Sequence, residues 1–160
     1  MATIVRLNWG RIIMQALSAG IVGGIVIDLY LYLTTILPVH GSIVAMLQWV
    51  ASAAIGPLAL TNTSYAWLGL VVHFIVSIGW AGGYAYFAQT QNFVNTRWFI
   101  SGLMYGLIVY VFMQALLLGA RAFVFPPTPT ALLNAVLAHM LFFGVPVAYV
   151  VARLDAVQRS

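Results

Sequence analysis

The sequence predicts an all-α integral membrane protein: a four-helix transmembrane bundle with an extra interfacial or re-entrant helix between spans one and two, forming a single transmembrane domain over residues 1–160. Three observations lead there. Apolar residues make up 64% of the 160 residues and charged residues 5%, whereas a soluble domain carries about 25% charged residues. So few charges cannot cover a water-facing surface, and the exterior must face lipid. Four apolar stretches are each long enough to cross a hydrocarbon core, which takes about 20 helical residues. The charges that remain are six Arg and two Asp, with no Lys, Glu or Cys, and the Arg residues gather at segment ends.

The first span is expected over Ile12–Ile36, preceded by Arg6 and Arg11. A signal peptide has an apolar core of about 7–15 residues, and this run is longer, so it reads as a retained span. The outer segment, residues 37–65, carries no formal charge. Within it, Ser42–Ile55 is apolar and is ended by Gly56 and Pro57. Such a stretch is too short to span and fits an interfacial or re-entrant helix, either a lid on the bundle or an element that docks a partner or gates a substrate. The Asn62-Thr63-Ser64 triplet matches an N-glycosylation acceptor. Spans two, three and four are expected over Ala66–Ala88, Trp98–Ala120 and Ala131–Ala152. The link Gln89–Arg97 is short and polar, and Pro126, Pro127 and Pro129 forbid a helix continuing from span three to span four.

Orientation follows from the arginines. In a four-span arrangement Arg6, Arg11, Arg97, Arg153 and Arg159 share one side and Arg121 lies on the other. The positive-inside rule makes the arginine-rich side cytoplasmic, which predicts a multi-pass protein of the inner (plasma) membrane with both termini in the cytoplasm. Trp9, Trp67, Trp98 and Tyr149 fall near the expected interfaces. Scattered arginines do not form the dense basic patch that nucleic acid requires, and the absence of Cys removes disulfides and thiolate chemistry. The Arg-only, Ala/Gly/Val-rich usage points to a bacterium with a GC-rich genome.

Each span carries a stripe of small residues leading to a polar group at four-residue spacing, which is one helix face. Span one reads Ala16, Gly20, Gly24, Asp28. Span two reads Gly69, His73, Ser77, Ala81, Ala85. Span three reads Gly102, Gly106, Tyr110, Gln114, and span four reads Ala131, Ala135, His139. Small residues at this spacing let helices approach closely in lipid, so Gly20, Gly24, Gly69, Gly102 and Gly106 are expected at packing faces. With a rise of about 1.5 Å per residue, Asp28 lies about 24 Å from the arginine-bearing end of its span, His73 about 22 Å, Gln114 about 24 Å and His139 about 20 Å. Four groups thus reach one level in the outer half of the bilayer.

An ionisable group at such depth is costly unless paired. The bland reading is a structural polar cluster in which Asp28 accepts from a His. A second is a haem or metal site with His73 and His139 as opposed ligands and Arg121 reaching a propionate. A third is a proton or solute pathway through Asp28 and the histidines. No soluble-enzyme motif is present: Asp155 lies in the tail, far from Asp28, and Ser77 one turn from His73 lacks an orienting group. Gly79–Gly83 reads as a close-packing or kink site.

From span two onward, the run from His73 through Ser77, Trp80 and Ala81 to Gly83-Tyr84, the Gly102/Gly106 pair with Phe112, Pro126-Pro127, and His139 resemble the YagU-like family of bacterial inner-membrane proteins, whose biochemical activity is not established. The resemblance implies a helical inner-membrane protein and draws attention to His73 and His139. The family pattern has a His where this chain has Gln114. The function expected from all of this is that of a small non-catalytic membrane protein. It is read as an accessory or stabilising subunit that associates with lipid and with other membrane subunits or itself, the alternatives being a bis-His electron carrier and a small transporter or proton conductor.

Overall fold

The computed structural model describes residues 7–119 and 128–159, so Arg6, Arg121, Pro126 and Pro127 lie outside the described residues. Every regular element among the described residues is helical. Seven α-helices follow one another: α1 Trp9–Leu31, α2 Ile43–Ile55, α3 Ala66–Thr90, α4 Asn92–Thr96, α5 Trp98–Gly119, α6 Pro129–His139 and α7 Val145–Arg159. Short π and 3₁₀ turns join several of them into longer rods. Five rods are long and apolar enough to cross a membrane: Trp9–Val39, Ile43–Leu60, Thr63–Thr90, Trp98–Leu116 and Pro129–Val157. The sequence predicts four spans because Ser42–Ile55 alone is too short to cross; the second rod reaches 18 residues only with its 3₁₀ continuation to Leu60.

Local chemistry explains the joints. Asn8 caps α1 by accepting from the Arg11 amide, Ser42 caps α2 through the Val44 amide, and Thr128 caps α6 through the Ala131 amide. Proline has no N–H and its ring crowds the carbonyl four residues back. Pro146 accordingly follows a π turn over Met140–Gly144 in which the Val145 amide bonds Met140 O. Pro38 follows another over Tyr32–Ile36, where the Leu37 amide bonds Tyr32 O. Each widened turn passes the obstruction without breaking the rod.

The outer segment doubles back. Gly56 adopts φ 66° and ψ −156°, a conformation that a side chain would strain. After it the 3₁₀ turn Gly56–Leu60 lies against α2, since Gln48 Nε2 donates to both Ala59 O and Asn62 O at 3.0 Å. Residue 62 therefore stands beside residue 48, and α2 reaches only about 20 Å before the chain reverses. The hairpin packs on the start of α3, where a Cβ on Gly69 would fall on Leu47 O.

Packing order is set by close approaches. α1 lies against α3 and α7, α5 lies against the Met140–Gly144 turn and α7, and α3 and α5 share almost no close backbone approach although they are consecutive long helices. The core is built from small residues, with Ala19, Ala81, Ala85, Ala138 and Ala148 fully buried beside Tyr84, Phe143, Val147 and Val151.

Candidate functional site

α1 and α3 bring Asp28 and His73 together: His73 Nε2 is 3.3 Å from Asp28 Oδ2 and 3.2 Å from Gly24 O. Both neighbours are acceptors, so Nε2 carries the proton. Gly24 makes the approach possible, because a Cβ there would stand 3.2 Å from both His73 Nε2 and Ser77 Oγ. His139 ends α6, its Nδ1 donates to Ala135 O at 2.8 Å, and its ring meets Tyr110 edge-on. Its Nε2 is then the basic nitrogen of the neutral ring.

His73 and His139 line one small cavity with Ile27, Trp49, Ser77 and Phe143, of about 90 Å³. That volume holds several water molecules. Gln114 does not line it: it sits half-buried one turn beyond Tyr110 on α5 and makes no hydrogen bond among the described residues. The structure thus joins Asp28 to His73, sets His139 on the same cavity wall, and leaves Gln114 apart. Arg121 lies outside the described residues.

A porphyrin does not fit between the histidines. The ring nitrogens are placed as ligand second shells often place them, each with one N–H held by an acceptor, but the cavity they share is small, about 90 Å³, and Trp49, Val76 and Phe143 line it as well. No group of three His, Cys, Asp or Glu that could hold a metal occurs among the described residues.

The packing glycines sit at backbone contacts. A Cβ on Gly20 would lie 2.5 Å from Ile78 Cα, on Gly102 2.8 Å from Gly144 O, and on Gly106 2.2 Å from His139 O. A Cβ on Gly69 would meet Leu47 of α2. A Cβ on Gly144, which lies on no stripe singled out in the sequence, would fall 2.1 Å from Gly102 O. α3 runs unbroken through Gly79–Gly83. A Cβ on Gly82 would lie 3.4 Å from Ala16 and on Gly83 3.0 Å from the Tyr105 hydroxyl, while nothing stands within 4 Å of one on Gly79.

Two further polar clusters hold the ends of the rods. At the arginine-bearing end Asp155 is buried, not in a free tail as the sequence suggested. It accepts from Arg11 Nη1 at 3.1 Å and Asn95 Nδ2 at 3.0 Å. Gln15 Nε2 donates to Val151 O, and the Asn8 amide donates to Gln89 Oε1. At the opposite end the Tyr30 hydroxyl donates to Asn134 Oδ1, and Asn134 Nδ2 donates to Thr34 and Thr35 hydroxyls. Four-residue spacing could have flagged Arg11/Gln15 and Tyr30/Thr34 as polar pairs at the two ends of one rod.

Fold and site together define a multi-pass membrane protein, all-helical among the described residues, with a carboxylate–imidazole pair between two of its long apolar rods. Family models, characterised proteins and solved structures were each compared with the chain, and none matches it.

Proposed function

We propose that the chain crosses the inner membrane four times, with both ends in the cytoplasm, and serves as a non-catalytic accessory subunit of a larger membrane complex. Four crossings are supported by parity. The start of α1 and the end of α7 meet at Arg11–Asp155, and α3 arrives at the same end through Gln89–Asn8. The rods flanking the outer segment therefore enter and leave it on the opposite side, and α2 with its 3₁₀ return acts as a re-entrant hairpin. Arg11, Arg97 and Arg153 on the shared end make that end cytoplasmic.

The observation that carries the accessory role is the hairpin itself. It is held together by Gln48 and the Gly69–Leu47 contact, yet it turns Ile43, Leu58 and Leu60 outward, with Leu60 57% exposed. An uncharged apolar element at the membrane's outer face fits the transmembrane helix of another subunit. Photo-crosslinking residues placed at Ile43 and Leu58, compared with lipid-facing Ile75 and Leu133, test it in native membranes. Discrete protein adducts are expected at the first pair and lipid adducts alone at the second. The same pattern at all four positions contradicts the role.

A second reading has one specific observation behind it. Asp28 and His73 form an intramembrane pair beside a cavity that also touches His139, the arrangement a proton pathway needs. Proton flux into liposomes that disappears in Asp28→Asn with folding intact supports conduction, and wild-type vesicles no leakier than empty ones exclude it. The resemblance to the YagU-like family agrees with either reading and chooses neither.

A further inference from the structure

α3 and α5 are joined by a tight link at the arginine-bearing end, yet they stand apart. Their sides are bridged by ring contacts of Tyr105 with Trp80 and Tyr84 and of Trp80 with Phe112. Between them runs a groove of about 910 Å³, within the range of about 300–1,000 Å³ of pockets that take lipid- or drug-sized ligands. Its floor is Gly79 and Gly83, and its α5 wall runs from Ile100 to Phe112, about 18 Å of helix. One leaflet's hydrocarbon is about 15 Å deep, so the groove has the length of an acyl chain lying in a single leaflet.

The polar groups of the groove are divided by position. Along the shaft the hydroxyls are already committed: Tyr84 with Ser101 at 2.6 Å, Ser101 to Val94 O at 2.9 Å, and Tyr105 to Trp80 O at 2.5 Å. An occupant of the shaft meets only apolar surface. Gln91 and Arg97 line the end at the α3–α5 link. Arg97 is exposed, and among the described residues no carboxylate pairs with it. The sequence holds two acidic residues: Asp155 pairs with Arg11 at the same end, and Asp28 pairs with His73 in the other half of the bundle. An apolar shaft one leaflet long with an unbalanced cation at its interfacial mouth matches an amphiphile with an anionic head, and basic pockets between transmembrane helices bind such headgroups.

We infer that the α3–α5 groove is a binding site for an anionic phospholipid, with an acyl chain between Gly79/Gly83 and the Ile100–Phe112 wall and the phosphate at Arg97. The site is separate from the outer hairpin and stands or falls independently of the accessory role. The test is native mass spectrometry of the full chain, reconstituted in vesicles of equal phosphatidylglycerol and phosphatidylcholine and released in mild detergent. Wild type is expected to retain one phosphatidylglycerol per chain, preferred about fivefold over phosphatidylcholine, the preference one arginine near a headgroup confers. Arg97→Gln should bring the two lipids to near-equal retention. Arg153→Gln, whose guanidinium lies over the Tyr149 ring, should leave the preference intact. Gly79→Leu, where the new side chain meets open space, should reduce retention of both lipids while circular dichroism stays unchanged. Equal retention in wild type, or a preference that survives Arg97→Gln, overturns the inference. So does a lipid-free dimer that Gly79→Leu disrupts, which would assign the groove to a second copy of the chain.

Discussion

α5 has two sides, and glycines lie across both, with opposite results. On the side toward the last rod, Gly102, Gly106 and Gly144 bring backbone against backbone, and no room remains for a methyl group. On the side toward α3, Gly79 faces open space and Gly83 meets only the end of a tyrosine. Both Gly102/Gly106 and Gly79/Gly83 have the four-residue spacing that lets helices close in lipid. The first pair is closed and the second is not, because the short α4 link and the rings of Trp80, Tyr84 and Tyr105 wedge α3 away from α5. Small residues permit approach, and the bulk on the neighbouring helix decides whether it happens.

The largest effect should come from filling the closed side. Gly106→Leu drives a side chain into the His139 carbonyl and should cost about 3 kcal/mol, measured as the shift of an unfolding titration in mixed micelles. An effect no larger than that of Val111→Ala, at a position of α5 that is 57% exposed, would show that the closed side is misplaced. Next is the cluster that ties the ends of the closed half together. Asp155→Ala leaves Arg11 and Asn95 without their acceptor and should cost about 2 kcal/mol, less than for a fully buried pair because Arg11 can turn toward water. Arg11→Gln in the same background should then add little, and an additive result would mean the two do not interact.

The intramembrane pair should matter less to stability. Asp28→Ala should cost about 1 kcal/mol, since polar contacts within membranes average about 0.6 kcal/mol. Asp28→Asn should cost less still because it keeps an acceptor for His73. If the two substitutions unfold alike and match Leu29→Ala, Asp28 holds nothing in place. The smallest effect belongs to the open side: Gly79→Leu should change stability by less than about 0.5 kcal/mol.

Much of the closed half was legible in the sequence. Four-residue spacing puts Gly20, Gly24 and Asp28 on one face of α1, and depth along the helix sets Asp28 level with His73. Both inferences need only helical geometry. Asp155 was not legible, because a carboxylate four residues before the end of the described chain looks like a tail group until Arg11 and Asn95 are seen to converge on it. Gln114 shares a face with Gly106 and Tyr110 but stands one turn past the ring that meets His139, so level and face together did not bring it to the cavity. The reversal at Gly56 was half legible: glycine and proline announced a break, and the left-handed backbone that folds residues 56–62 back onto Gln48 is a tertiary outcome. The open groove was hidden, since its small residues look identical in sequence to those of a closed seam.

The contrast between the two sides of α5 can be measured directly at Gly79. The chain has no cysteine, so a nitroxide on Gly79→Cys is unique, and Ile75→Cys, at a position 64% exposed one turn away, supplies the lipid-facing reference. Power-saturation spectroscopy in liposomes should find the Gly79 label mobile and as accessible to oxygen as the Ile75 label. An immobilised, oxygen-poor spectrum at Gly79 beside an accessible one at Ile75 would mean that α3 and α5 close on each other in the membrane, and the open side would not exist.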